Sequence, residues 1–170
     1  MTPRMSDAWY HLLRCVHYLG YHTADTMSYT FDRARLFTLV TSNEAEVREI
    51  EGLLKESGKP KARDAAIWVI EGRAEGNATV YRLREVFHPR EVTLAQPEHT
   101  PGAKKKFVYS LDGKGAGKDL GESLVLNGRP WFKAFFEESG RFGFGLDHLR
   151  NPEVKEHFLE LVRPFYQEST

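Results

Sequence analysis

The sequence predicts one mixed α/β (α+β) domain, built on a curved, barrel-like sheet of five or six strands with flanking helices. Three observations point there. Ala66-Ile67-Trp68-Val69-Ile70 is apolar at every position, the pattern of a central strand covered on both faces. From Ala66 onward the apolar runs are separated mostly by short turns rather than crossover helices, which favours antiparallel or mixed pairing. Amphipathic segments with helical start and stop signals occupy both ends. The 170 residues are enough to bury one core without cross-links, so residues 1–170 are expected to form a single domain.

The elements follow in order. Ser6 to Leu19 carries Trp9, Leu12, Leu13, Val16 and Leu19 at helical spacing, with Ser6 as a cap and Gly20 as a stop, although the same aromatic-rich residues would also tolerate a strand. Tyr21 to Asp32 reads as a loop, and Arg35 to Thr41 as a strand by its β-branched and aromatic content. Asn43 to Ser57 is a helix with Val47, Ile50, Leu53 and Leu54 on one face and Gly58 past its end. Strands are expected at Ala66–Ile70, Ala78–Phe87, Glu91–Leu94, Phe107–Leu111 and Glu122–Leu126, with His88-Pro89 as a break because proline lacks a donor. Pro130 suits a helix start, with Trp131, Phe132, Phe135 and Phe136 on one face. Asn151-Pro152-Glu153 opens the last helix, with Val154, Phe158, Leu161, Val162 and Phe165 inward.

Composition excludes several classes. Lys plus Arg equals Asp plus Glu, 24 each, so no global basic field exists and any nucleic-acid contact needs a local patch. Cys15 is the only cysteine, which excludes an intramolecular disulfide and a cysteine-rich zinc site. No apolar run approaches the roughly 20 residues that span a bilayer, so no membrane partner is expected and the cytoplasm is the expected compartment.

Asp112-Gly113-Lys114-Gly115-Ala116-Gly117-Lys118-Asp119 fails as a phosphate loop of the Walker type, because Asp112 and Asp119 stand where glycine and Ser or Thr are required. Its lysines, Lys114 and Lys118, still form with Lys104, Lys105 and Lys106 a basic cluster able to meet phosphates. Gly140 to Gly145 fails the RNA-recognition pattern by residue order. Seven histidines show no helical zinc motif with a carboxylate, and no nucleophile motif accompanies them, so no metal, cofactor or catalytic residue is expected.

Asn127-Gly128-Arg129-Pro130-Trp131-Phe132 sets a guanidinium and an indole together at a tight turn that starts a helix. Arg129 and Trp131 are therefore candidate base-binding residues, with Trp9, Tyr10 and Tyr21 as the opposing wall. Such rings can sandwich a base at about 1–3 kcal/mol per stack. The competing reading makes Trp131 a core plug against Phe135 and Val125.

Trp9-Tyr10, the central Trp68, Leu126 to Phe132 and Phe142 to Leu146 together resemble the PUA superfamily, in particular its EVE, ASCH and YTH-like branches, and proteins of modification-dependent restriction. The resemblance implies a PUA/EVE-like reader domain that takes an extruded, modified base between aromatic rings while basic loops hold the backbone. DNA is expected in preference to RNA, and any chemistry would come from a nuclease or translocase partner. Two other classes compete. One is a small hydrolase of modified nucleosides, which needs a lysine and a glutamate in one pocket with shifted pKa values. The other is a ligand-free protein-interaction module, which needs a large exposed apolar patch.

Overall fold

The computed structural model describes residues 3–23, 36–96, 107–143 and 145–168. Lys104, Lys105 and Lys106, most of the loop expected up to Asp32, and Phe144 lie outside the described residues. The fold is mixed α+β. Helix α1 (Asp7–Leu13) leads into β1 (Val16–Thr23), followed by β2 (Thr38–Thr41), α2 (Glu44–Lys55), β3 (Ala65–Glu75), β4 (Ala78–Phe87) and β5 (Glu91–Leu94). Then come β6 (Tyr109–Asp112), β7 (Gly117–Asp119), α3 (Phe132–Glu138), β8 (Leu146–His148) and α4 (Pro152–Val162).

Among the described residues eight strands form two sheets, where a single sheet of five or six was expected. The larger has the order β7-β4-β3-β1-β8, and the smaller β2-β6-β5. Among these strands β1 and β3 run parallel, and the other described pairs are antiparallel.

β3 is covered on both faces, as its uniform apolarity implies. Ala66, Trp68 and Ile70 join Leu12 of α1, Phe135 of α3, and Phe158 and Val162 of α4 in one core. Ala65, Ile67 and Val69 turn the other way, onto Leu39 and Leu111 of the small sheet and Val47 and Ile50 of α2. The result is three layers: helices, the large sheet, and the small sheet with α2.

The first helix is shorter than its periodicity suggests. It stops at Leu13, and Val16 onward becomes a strand between β3 and β8. Val16, Tyr18 and Tyr21 favour extended backbone, and pairing on both sides overrides the weak helical preference. Gly20 is therefore no helix stop. A Cβ there would sit 2.8 Å from Leu39 Cδ2, so the glycine lets the two sheets approach. The strand expected at Glu122–Leu126 is reduced to a single bridge, Arg82 with Val125. Further along β4, Glu85 to Phe87 pair instead with β7, drawn from the glycine-rich Asp112–Asp119 segment.

Between Val69 and Ile70 the register with β4 shifts, because Glu85 pairs with Val69 and Leu83 with Ile70. Arg84 is the extra residue of this bulge. The reset lets Leu83 and Val86, three apart, reach the same core.

Glu85 is fully buried, and its Oε2 accepts the Phe37 N–H at 2.7 Å. Burial pushes its carboxyl up from 4.5 to about 8; the Phe37 hydrogen bond opposes the rise and Asp119 adds to it. The folded state thus keeps a proton that the unfolded chain has released. Its contribution to stability is fully present below pH 4.5 and is lost as pH rises to about 8, by up to ~1.4 kcal/mol per pH unit. Glu85→Gln should remove this slope. Urea midpoints measured across that window test it, and identical profiles for both proteins would exclude Glu85 as the source.

Candidate functional site

The five expected base-binding residues fall in separate settings. Trp131 lies half-buried before α3, flat on His157 with ring centroids 4.8 Å apart and planes 5° from parallel. It also meets Phe135 and Phe158. Arg129 is half-buried, its Nε donating to Val125 O at 2.8 Å. The Asn-Gly turn is fixed to β4, since Asn127 accepts from Tyr81 N and donates to Thr79 O. Tyr21 packs on Tyr81 and Phe142. Phe135 and Phe142 join it to Trp131 through one aromatic cluster. Trp9 and Tyr10 stand apart on α1, the first buried on Tyr166 and the second 49% exposed.

Of the five lysines expected to meet phosphates, the two described, Lys114 and Lys118, behave differently. Lys114 is exposed at the loop tip, where its N–H donates to Asp112 Oδ1. Lys118 is half-buried with Nζ 5.3 Å from the centre of the Tyr166 ring. It lines a cleft of about 410 Å³ together with Gly115 to Gly117, His11, His88, Arg90 and Tyr166.

The glycine segment forms one wall of this cleft because its backbone is stitched to the end of β4. His88 N–H donates to Ala116 O at 2.7 Å, and Ala116 N–H to Gly113 O. A Cβ on Gly113 would collide with the His88 carbonyl, so only glycine fits there. The floor follows from strand register. Parallel pairing of Val16 with Ala65 sets the preceding residues, Cys15 and Asp64, side by side. Antiparallel pairing of Ile67 with Phe87 brings the next residue, His88, to the same end of the sheet. The last turn of α1 then places His11 above Cys15.

The polar contacts here are dense. His88 Nδ1 lies 2.9 Å from Ala65 O and 3.7 Å from Cys15 Sγ. His11 Nε2 lies 2.9 Å from Asp64 Oδ2. Arg90 Nη1 binds both oxygens of Asp64 at 3.0 and 2.9 Å, and Ala65 N–H donates to Oδ1. Arg63 donates to the carbonyls of Arg14 and Cys15, closing the open end of α1.

These contacts decide what the thiol can do. Burial first, then Asp64, pushes Cys15 up to about 12, and burial holds His88 below its ordinary value. A neutral thiol beside a neutral imidazole is not an activated nucleophile. As donors, however, one atom each from His11, Cys15 and His88 lies within 4.8 Å of the others. Sequence reasoning missed this cluster because it looked for paired histidines. The usable signal was His11 and Cys15, four apart across the end of a helix and so on one face.

No protein-family model matches this chain, and no curated protein matches it. Among the described residues no helix is long and apolar enough to cross a membrane.

Proposed function

We propose that this chain is a nucleic-acid-binding reader of the PUA-like kind, and that its ligand enters the cleft between α1, the end of β4 and the Gly113–Lys118 loop. The observation that carries this reading is the meeting of glycine backbone, Lys118, Arg90 and two imidazoles around a space of about 410 Å³. That volume suits a nucleotide-sized group. Glycines let a phosphate approach the main chain, Lys118 offers a point charge, and the imidazoles of His11 and His88 offer polar ring edges to a base. An extruded, modified base of DNA is the favoured occupant, with a nuclease or translocase partner for any cleavage. The single free thiol suits a reducing compartment such as the cytoplasm.

Two features weigh against the hydrolase alternative. The register sets Lys118 opposite Val86 and Glu85 opposite Asp119, so Lys118 and Glu85 project from opposite faces of the sheet. Glu85 is also fully buried, out of reach of a substrate.

The test is fluorescence anisotropy with single- and double-stranded DNA and RNA, each with and without modified bases. Lys118→Glu should weaken binding about tenfold and reduce the salt slope by about one, whereas Trp131→Ala should leave binding in place. If no probe binds, or if Lys118→Glu binds as tightly as the parent, the reading fails. Loss of binding in Trp131→Ala at unchanged melting temperature would move the base pocket to the start of α3.

A further inference from the structure

We propose that His11, Cys15 and His88 form a binding site for a zinc-like divalent transition ion at the inner end of this cleft, with Asp64 orienting His11. The site goes beyond the reader assignment and stands whether or not the cleft takes a nucleic acid.

The donor set comes first. Two imidazoles and a thiol are the ligand types that zinc selects, and their donor atoms lie within 4.8 Å of one another. Bonds of about 2.0–2.1 Å to nitrogen and 2.3 Å to sulfur put tetrahedral donors roughly 3.3–3.6 Å apart. Cys15 Sγ and His88 Nδ1 already stand at 3.7 Å, so closure around an ion needs side-chain shifts of only about an ångström.

The surroundings are those a ligating histidine requires. A metal-bound imidazole gives its second N–H to a carboxylate or a backbone carbonyl, which fixes both tautomer and ring orientation. His11 shows the carboxylate form, with Nε2 2.9 Å from Asp64 Oδ2, which leaves the lone pair of its other nitrogen for the ion. His88 would bind through Nδ1, the nitrogen beside the thiol, and would give up its 2.9 Å contact with the Ala65 carbonyl in exchange. Asp64 is itself held by Arg90 and by the Ala65 N–H, which marks it as the orienting partner.

Positions on the chain also fit. His11 and Cys15 come from one helix end, while His88 and Asp64 come from the adjoining ends of β4 and β3, so the ligand frame rests on paired strands. Cys15 and His88 are buried, whereas His11 is half-exposed. His11 and His88 both line the cleft, so the fourth coordination position faces it and would take water or a ligand atom. On binding, the Cys15 S–H bond breaks, a sulfur–metal bond forms, and the proton passes to solvent. The thiol's contact with the His11 carbonyl, 3.3 Å, is given up in exchange.

Cobalt(II) is the probe. The purified full chain, stripped of metal and reduced, should bind one cobalt ion with tetrahedral visible absorption and a thiolate-to-metal charge-transfer band. Zinc should then displace it. Cys15→Ser should abolish the charge-transfer band, and Asp64→Asn should weaken affinity by about 10–100-fold. Zinc should raise the melting temperature of the parent and not that of His11→Gln, a half-exposed position whose replacement leaves the core intact. Failure of the parent to take up cobalt, or equal cobalt spectra for parent and Cys15→Ser, would overturn the site. Neither result bears on the nucleic-acid panel, so the two proposals fail separately.

Discussion

Trp68→Ala should lower stability by about 4 kcal/mol, a large share of what a domain of this size has in total. Trp68 is 0% exposed at the middle of β3, where the register sets Leu19 on one side and Val86 on the other. Its ring lies 5.4 Å from Phe158 of α4, so it joins the sheet to the helical layer. Its Nε1 donates to His17 Nδ1 at 2.9 Å, and His17 is itself buried. Alanine leaves a cavity and withdraws that donor together. Trp68→Phe keeps most of the volume and loses the hydrogen bond, so it should cost about 1–3 kcal/mol. Urea denaturation of both variants checks the pair. A loss under 1 kcal/mol for Trp68→Ala would show that the ring is not central to the core.

Arg84→Met should cost about 3–5 kcal/mol, by a different route. Arg84 Nη1 sits 2.9 Å from Glu71 Oε1; the Glu71 side chain is fully buried and that of Arg84 is 8% exposed. A buried ion pair repays little more than the desolvation of its two charges. Removing one member withdraws a charge partner from the other in a dry environment. The bulge makes this position special, since Arg84 is the residue that β4 holds in excess of β3. The double variant Arg84→Met, Glu71→Gln should recover most of the loss. A double-mutant cycle by denaturation measures the coupling, and additive single effects would show that the pair does not act as a unit.

Much of this architecture was legible in the sequence, for identifiable reasons. Ala66 to Ile70 announces a strand covered on both faces, and Asn151-Pro152 announces α4, where Asn151 Oδ1 accepts from the N–H groups of Glu153 and Val154. Both signals are local. The elements that differed depend on partners far away. Val16 to Leu19 continues a helical pattern until β3 and β8 are there to pair with it. Gly117 to Asp119 reads as a loop until β4 offers an edge. The cleft was half legible. Lys118 drew notice for its charge, but nothing in the order of residues says that position 88 will stand beside positions 11 and 15. That meeting is a product of strand register. Trp131 carried an aromatic signal without its context, because the parallel His157 lies on a helix that follows later in the chain.

The parallel pairing of β1 with β3 has a consequence for how the chain comes together. β1 finds β3 only after β2 and α2, which lie between them in sequence, have been set aside into the other layer. Its second neighbour, β8, is the last strand. Such distant contacts give a high contact order, and closing the intervening loops costs entropy before any pairing offsets it. Such a topology favours slow folding. During synthesis β1 emerges early with both edges open, and β8 is made long after it. In that interval the apolar segment around Tyr18 and Leu19 has open edges that can pair with a second chain.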